Sequence, residues 1–312
     1  MSLMSHDPTK AVLIVNGAKA DADAAAALHE RVAHAFAEAG WPKPDLAMTT
    51  PDDPGTGPAR AAVRAGAGLV VACGGDGTVN AVAEALAGTG VVLGVLPLGT
   101  GNLLAGHLGV PDSLDEAVAL LTGGTDRRLD LGSTGERVFV GMAGLGLDAA
   151  MIADSSEQLK ARIGWLAYVP SIARHLRDRG RRVSLRVDGR RVRHSGVKAL
   201  IVGNFGRLHG GIDLMPDAAP DDGLLDVVVL EPSGRLSGWA AVLVRLLTRR
   251  DGQNISRYQG RRIEVRTRRP VPLELDGDAY RTANTLSVQV EPGALTVRAP
   301  AREPSGRPAE GE

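Results

Sequence analysis

The stretch that most limits what this 312-residue chain can become is Val70-Val71-Ala72-Cys73-Gly74-Gly75-Asp76-Gly77-Thr78-Val79-Asn80. An apolar run stops in three glycines within four residues, and an amphipathic pattern resumes at Val79. That pattern reads as buried strand, tight loop and helix N-terminus, where an α/β protein holds an anion. Glycines let backbone N–H groups approach phosphate oxygens closely and take positive φ without strain. Thr78 is the expected helix cap. The Asp76 carboxylate would repel a bare phosphate, which makes sense if a divalent cation bridges them. The plainer alternative is an ordinary strand–helix turn, but such turns rarely need three glycines flanking an acid.

The neighbouring sequence repeats the alternation. Ala11 to Val15 is an apolar run ending in Asn16-Gly17-Ala18-Lys19, followed by a helical pattern from Asp21 to Ala39. A second strand spans Leu46 to Thr49, then a Pro/Gly loop leads to a helix from Ala59 to Ala65. After the strand Leu69 to Ala72 comes a helix from Thr78 to Ala87, then a strand from Val91 to Leu96. Ser113-Leu114-Asp115-Glu116 has capping-box spacing and opens a helix to Leu121. Such alternation predicts a doubly wound, mostly parallel α/β domain over residues 10–129, with binding at the carboxyl ends of its strands.

Past Leu129-Asp130-Leu131-Gly132 the pattern changes to short strands: Val138 to Val140, Val183 to Val187, Val197 to Val202, Leu225 to Leu230, Ile263 to Thr267 and Leu286 to Val290. Asp188-Gly189 is a hairpin turn signal. Helical patterns at Leu159 to Arg177 and Leu236 to Arg249 interrupt the strands. Residues 130–300 therefore read as an antiparallel β-sandwich-type domain, with disorder expected at Met1 to Thr9 and over 301–312.

Composition removes several classes of function. Lys plus Arg and Asp plus Glu both number 36, so no global field calls for nucleic acid. Aromatic residues make up 3%, too few to form stacking platforms for single-stranded bases. Cys73 is the sole cysteine, which excludes an internal disulfide and a cysteine-based zinc site. The 7 histidines are scattered, with no H-E-x-x-H pattern. No apolar run nears the roughly 18 residues of a membrane span, and nothing reads as a signal peptide. A soluble, cytoplasmic protein is expected.

Gly74-Gly75-Asp76-Gly77-Thr78 resembles the GGDGT signature shared by diacylglycerol kinases, sphingosine and ceramide kinases, NAD kinases and phosphofructokinases. Further segments resemble the lipid kinases in particular, over about residues 11 to 290. Gly99-Thr100-Gly101-Asn102 is similar to their Gly-Thr-x-Asn segment, and Asn16 matches the first residue of a nucleotide loop. Thr50 stands where a threonine contacts nucleotide, and Asn80 follows the signature, although Ala81 replaces the usual glutamate. The resemblance implies that these residues, with Lys160 in a Leu-Lys-x-x-Ile-Gly stretch, hold ATP. Asp130 matches an acid of the family's metal network, and Ala143 to Ala149 an Ala-Gly-x-Gly-x-Asp-Ala segment. Pro216 to Val227 resembles a loop that binds structural magnesium, which would place Asp222 and the carbonyls of Ala219 and Leu224 around Mg2+. Asp276-Gly277-Asp278 stands where the family has Asp-Gly-Glu with its general base, so Asp276 or Asp278 is the implied catalytic residue.

The implied function is an ATP-dependent lipid kinase acting on a diacylglycerol-like hydroxyl. NAD kinase is the enzymatic alternative, although its Thr-Gly-Ser-Thr-Ala-Tyr segment is absent. A non-catalytic lipid- or nucleotide-binding regulator is the other, motivated by Ala81 and Asp278. Each of Asp130, Asp222, Asp276 and Asp278 taken singly also fits a plain turn. Nine arginines fall between Arg174 and Arg193 and eight between Arg249 and Arg269. These would either draw the protein to an anionic membrane surface or form solvated outer faces. Trp165, Leu166, Tyr168 and Val169 would seat a lipid tail or pack the core. The sequence is silent on oligomeric state and leaves a homo-oligomer open.

Overall fold

Strands with no exposed residue must be covered on both faces, and β1 (Ala11–Val15) and β3 (Leu69–Gly74) are buried throughout. In the computed structural model they form the centre of a parallel sheet ordered β2-β1-β3-β4, with β2 (Asp45–Met48) at the edge and β4 (Val92–Pro97) inside. The structure describes residues 10–146, 180–206, 213–232 and 254–301, with positions 238 and 242. Helices α1 (Ala22–Glu38) and α5 (Leu114–Gly123) pack together, as do α2 (Thr56–Arg64) and α3 (Asp76–Leu86). The expected doubly wound arrangement is present.

Local chemistry explains the helix boundaries, and corrects some of them. α1 buries Ala25, Leu28, Val32 and Phe36 at three- and four-residue spacing, and the Asp21 carboxylate accepts the Ala24 N–H at 2.9 Å. α2 starts at Thr56, three residues before the expected Ala59. Pro58 lies in its first turn, where no N–H is needed. A short α4 (Leu103–Leu108) follows the Gly99–Asn102 turn. Ser113 precedes α5 but its hydroxyl makes no cap bond, so the expected capping box is not formed.

The second half is antiparallel: β5 (Thr125–Ser133), β6 (Val138–Phe139), β7 (Met142–Leu145), β8 (Arg181–Val187), β9 (Arg190–Val197), β10 (Ala199–Gly203), β11 (Leu225–Leu230), β12 (Ile255–Gly260), β13 (Arg262–Leu275) and β14 (Asp278–Ala299). Asp188 (φ 46) and Gly189 (φ 85) make the expected two-residue turn between β8 and β9. β13 changes partners along its length: Ile263 to Thr267 pair with β8, and Leu273 to Leu275 with β7. The β9-β8-β13-β14 layer thus folds over β12-β11-β10-β7. Leu185, Leu200, Val227, Val265, Leu273 and Val288 are among the buried residues between the layers. The expected sandwich-type domain is present.

The last strand joins the two halves. β14 leaves β13 and ends parallel to β4, with Thr296 opposite Val92 and Val297 opposite Leu93. β5 pairs antiparallel with the same strand, and its residues span the 129/130 boundary. The strand expected at Leu286 to Val290 is therefore a fragment of a 22-residue strand that completes the first sheet.

Candidate active site

The carboxyl ends of β1, β3 and β4 carry three loops, and hydrogen bonds knit them together. The Asn16 amide donates to Thr78 Oγ1 at 2.8 Å, and the Asp76 carboxylate accepts the Leu103 N–H at 2.6 Å. Asn102, left-handed at φ 48, accepts the Gly99 N–H at 3.1 Å and donates to the Gly99 carbonyl at 2.7 Å. Thr78 is not the cap expected from sequence: α3 begins at Asp76 with Gly75 as N-cap, and Thr78 lies buried in the first turn. The first intrahelical bond runs from the Val79 N–H to the Gly75 carbonyl. The N–H groups of Asp76, Gly77 and Thr78 are therefore unpaired within the helix, and the macrodipole makes this end attractive to an anion.

The glycines of this loop serve different ends, and none of Gly74, Gly75 and Gly77 uses positive φ. A Cβ on Gly74 would come 2.9 Å from Thr78 Cβ, and one on Gly99 would come 2.5 Å from Gly75 Cα. These glycines let protein pack against protein. A Cβ on Gly77 would meet nothing within 4 Å, and Gly77 is exposed. Asn80 sits one turn further along the same side of α3, and Thr100 is exposed on the adjoining loop. We expect Gly99→Ala to lower stability by about 1–3 kcal/mol through overpacking. Gly77→Ala should leave stability unchanged or raise it by up to about 1 kcal/mol, as alanine favours helix, while weakening nucleotide binding. Thermal melts with and without nucleotide check this; equal destabilisation by both would contradict the division of roles.

The second cluster of acids lies on the β13–β14 hairpin. Asp276 (φ 49) and Gly277 (φ 88) form its two-residue turn. The Asp276 carboxylate accepts three backbone N–H groups: Val140 at 2.8 Å, Gly141 at 2.7 Å and Met142 at 2.9 Å. Burial nevertheless pushes its carboxyl up to about 6, outweighing those donors, with a smaller contribution from the Asp278 charge. Asp278 is exposed at the start of β14. Arg137 binds Glu84 of α3 through Nε and Nη2, at 3.2 and 2.8 Å, and feels the charges of Asp278 and Asp276. Glu84 is about 10 Å along α3 from Gly77. Glu136, next to Arg137, accepts bonds from Tyr280 and Arg281 of β14, so this loop ties α3 to the strand that leaves the acid hairpin.

Asp130 organises a third group. It is 4% exposed, and its two oxygens accept the Gly223 N–H at 2.6 Å and the Gly293 N–H at 2.7 Å. Its own N–H donates to the Pro220 carbonyl at 2.7 Å. These bonds to residues 220–223 hold the loop expected to bind metal against β5. Buried Asn204 joins this group to the hairpin, donating to the Asp130 carbonyl at 2.6 Å and, more weakly, to that of Val140 at 3.4 Å. Within the loop the Asp222 carboxylate accepts the Leu224 N–H at 2.9 Å and a bond from Gln259 at 3.1 Å. Among the described residues no three His, Cys, Asp or Glu side chains converge as a metal site. A site of one carboxylate and two carbonyls would still fit a hard divalent cation. Negative charge does accumulate there: Asp226 is pushed up to about 6 by burial and by the nearby Asp222 and Asp217 charges.

Residues 10–134 match the family model of the diacylglycerol kinase catalytic domain, and residues 141–299 that of the YegS C-terminal NAD kinase beta sandwich-like domain. A Pseudomonas fluorescens protein named "Probable lipid kinase YegS-like" is 34% identical over 304 residues, covering 95% of this chain and 97% of its own. The chain belongs to the YegS-like lipid kinase family. A Pseudomonas putida member with the same name is 35% identical over 246 residues, covering 78% of this chain and 81% of its own. Two solved Bacillus anthracis structures share the fold, with TM-scores of 0.80 and 0.71 at 22% and 21% identity. They cover 96% and 93% of this chain and 98% and 96% of their own, and the second is described as a diacylglycerol kinase.

Within this family framework, Asn16, Gly74 to Thr78 and Gly99 to Asn102 form one cluster, with Asn80 beside it. Asp276 and Asp278 belong to the hairpin group and Asp130 and Asp222 to the loop group, with Asn204 between the two. Thr50 is exposed and pairs with Asp53; it is Thr49 whose hydroxyl accepts the Gly17 N–H, at 3.2 Å. Lys160, Asp148 and the Trp165 to Val169 segment lie outside the described residues. Arg137, Glu84 and Asn204 escaped sequence reading, since each owes its place to contacts distant in the chain. Asn204 gave one faint signal, an amide at the end of an apolar strand.

Proposed function

We propose that the chain transfers the γ-phosphate of ATP to the hydroxyl of a diacylglycerol-like lipid, with Asp278 as general base. The observation that carries this assignment is the asymmetry of the hairpin acids: three N–H groups occupy Asp276, while Asp278 is exposed beside it. The ATP phosphates would lie at the α3 N-terminus over Gly77, where backbone N–H groups and the helix dipole offset their charge. Asp278 would take the proton of the lipid hydroxyl as its oxygen attacks the γ-phosphorus and ADP leaves. The loop carrying Glu136 and Arg137 would hold β14 and α3 in fixed relation. Phosphoryl transfer needs chiefly positioning and charge stabilisation, which this arrangement supplies. Label transfer from γ-labelled ATP tests the reading, with a lipid extract and NAD as parallel acceptors. Label in the NAD arm alone would replace it with NAD kinase, and label in neither would leave a binding protein.

Mg2+ would be held by Asp222 with the carbonyls of Ala219 and Leu224, and when bound it would supply positive charge to this acidic loop. We expect Mg2+ to raise the melting temperature of the wild type and to lose most of that effect in Asp222→Ala. Calorimetry with and without Mg2+ measures both; an equal rise in the two proteins would sink the assignment.

A further inference from the structure

The layer β9-β8-β13-β14 buries one face in the sandwich and leaves the other open. Side chains alternate along a strand, so the pairing register decides what the open face carries. Arg186 lies opposite both Arg191 and Glu264, Ser184 opposite both Arg193 and Arg266, and Arg182 opposite Ser195. Arg262 extends the same face, opposite Gln289. Described members of two arginine clusters separated in the sequence thus share one surface, and all six of these arginines are exposed. Its carboxylates are Glu264, 3.1 Å from Arg186, and at its foot Glu291, which accepts from the Gln289 amide at 2.8 Å. Asp188, at the nearby hairpin tip, spends its oxygens on the backbone N–H groups of Arg261 and Arg262.

Like charges directly opposed across strands destabilise a sheet, and Arg186 and Arg191 are so placed. Six guanidinium groups against two carboxylates, on a patch roughly 15 Å square, call for an anionic counterpart. Serine, threonine and glutamine fill the remaining positions, so the face offers charge spread over a plane and no aromatic ring to stack on a base. At its foot Arg261, Arg262 and Gln289, with Gly223, Val290 and Pro292, line a cavity of about 390 Å³. Its apolar floor and cationic rim suit an amphiphile bearing a phosphate.

We propose that this face docks the protein on an anionic phospholipid bilayer, with one headgroup phosphate entering the cavity at Arg261 and Arg262. The inference rests on the lipid-kinase reading for its biological sense, but the binding is measured without turnover. Sedimentation of the full chain with vesicles of phosphatidylcholine, alone or mixed with phosphatidylglycerol, should show binding only to the mixture. Binding should weaken with salt, since screening shortens the field to about 8 Å at physiological ionic strength. R193E/R266E should lower vesicle affinity about thirtyfold or more, and R193Q/R266Q should lower it less. R60E/R64E, the same charge change on exposed positions of α2, should have little effect. Indifference to lipid charge, or equal losses from the two reversed pairs, would overturn the proposal. So would a DNA duplex that binds as tightly as the vesicles and is lost in R193E/R266E. Vesicle binding without phosphorylation of any lipid would leave this proposal standing and sink the kinase reading alone.

Discussion

Asp278→Asn should lower the turnover of phosphate transfer by about 10²–10⁴-fold, the range a general base contributes. The side chain is exposed at a strand start, so stability should change by less than about 0.5 kcal/mol, and nucleotide affinity should hold. Asp278→Glu, one methylene longer and still a base, should recover most of the activity. If the asparagine variant turned over at the wild-type rate, the base would have to be sought elsewhere.

Asp276→Ala should act on the fold instead. It orphans the N–H groups of Val140, Gly141 and Met142 and removes a turn residue suited to left-handed φ. Unsatisfied groups cost about 1–3 kcal/mol each, reduced where water can replace the carboxylate, so a loss of about 3 kcal/mol is expected. The carboxyl also leaves a mark on pH dependence. Its folded value, about 6, lies above the ordinary 3.8, so between these values the folded protein binds more protons than the unfolded chain. Its contribution to stability therefore falls as pH rises from about 4 to 6, and Asp276→Asn should remove that part of the slope. Denaturant melts across this window measure both effects; identical slopes in wild type and Asp276→Asn would contradict the assigned burial.

The elements that could be read from the sequence are those whose causes are local. The run from Val70 to Asn80 showed strand, loop and helix because apolar residues, glycines and helical spacing follow one another directly. Asp188-Gly189 and Asp276-Gly277 were legible as turns for the same reason. What misled was competition from afar. Thr78 looked like a cap, but the Asn16 amide from another strand engages its hydroxyl, while Gly75 takes the cap position. Ser113 had capping-box spacing without the bond. Which hairpin acid is saturated depends on N–H groups more than 130 residues away. The return of β14 to β4 is a pairing across two halves that no window of sequence contains. Arg137 and Asn204 are ordinary in sequence and become structural links only in the folded chain.

The central claim is that the Gly77 loop and the Asp278 hairpin serve one reaction, with nucleotide bound at the first and proton removal at the second. The most direct measurement is label transfer from γ-labelled ATP to diacylglycerol in mixed micelles, made beside ATP affinity on the same wild-type and Asp278→Asn preparations. The account predicts labelled lipid from the wild type, almost none from Asp278→Asn, and equal ATP affinity in both. Undiminished transfer by Asp278→Asn, or transfer and ATP affinity lost together, would contradict it.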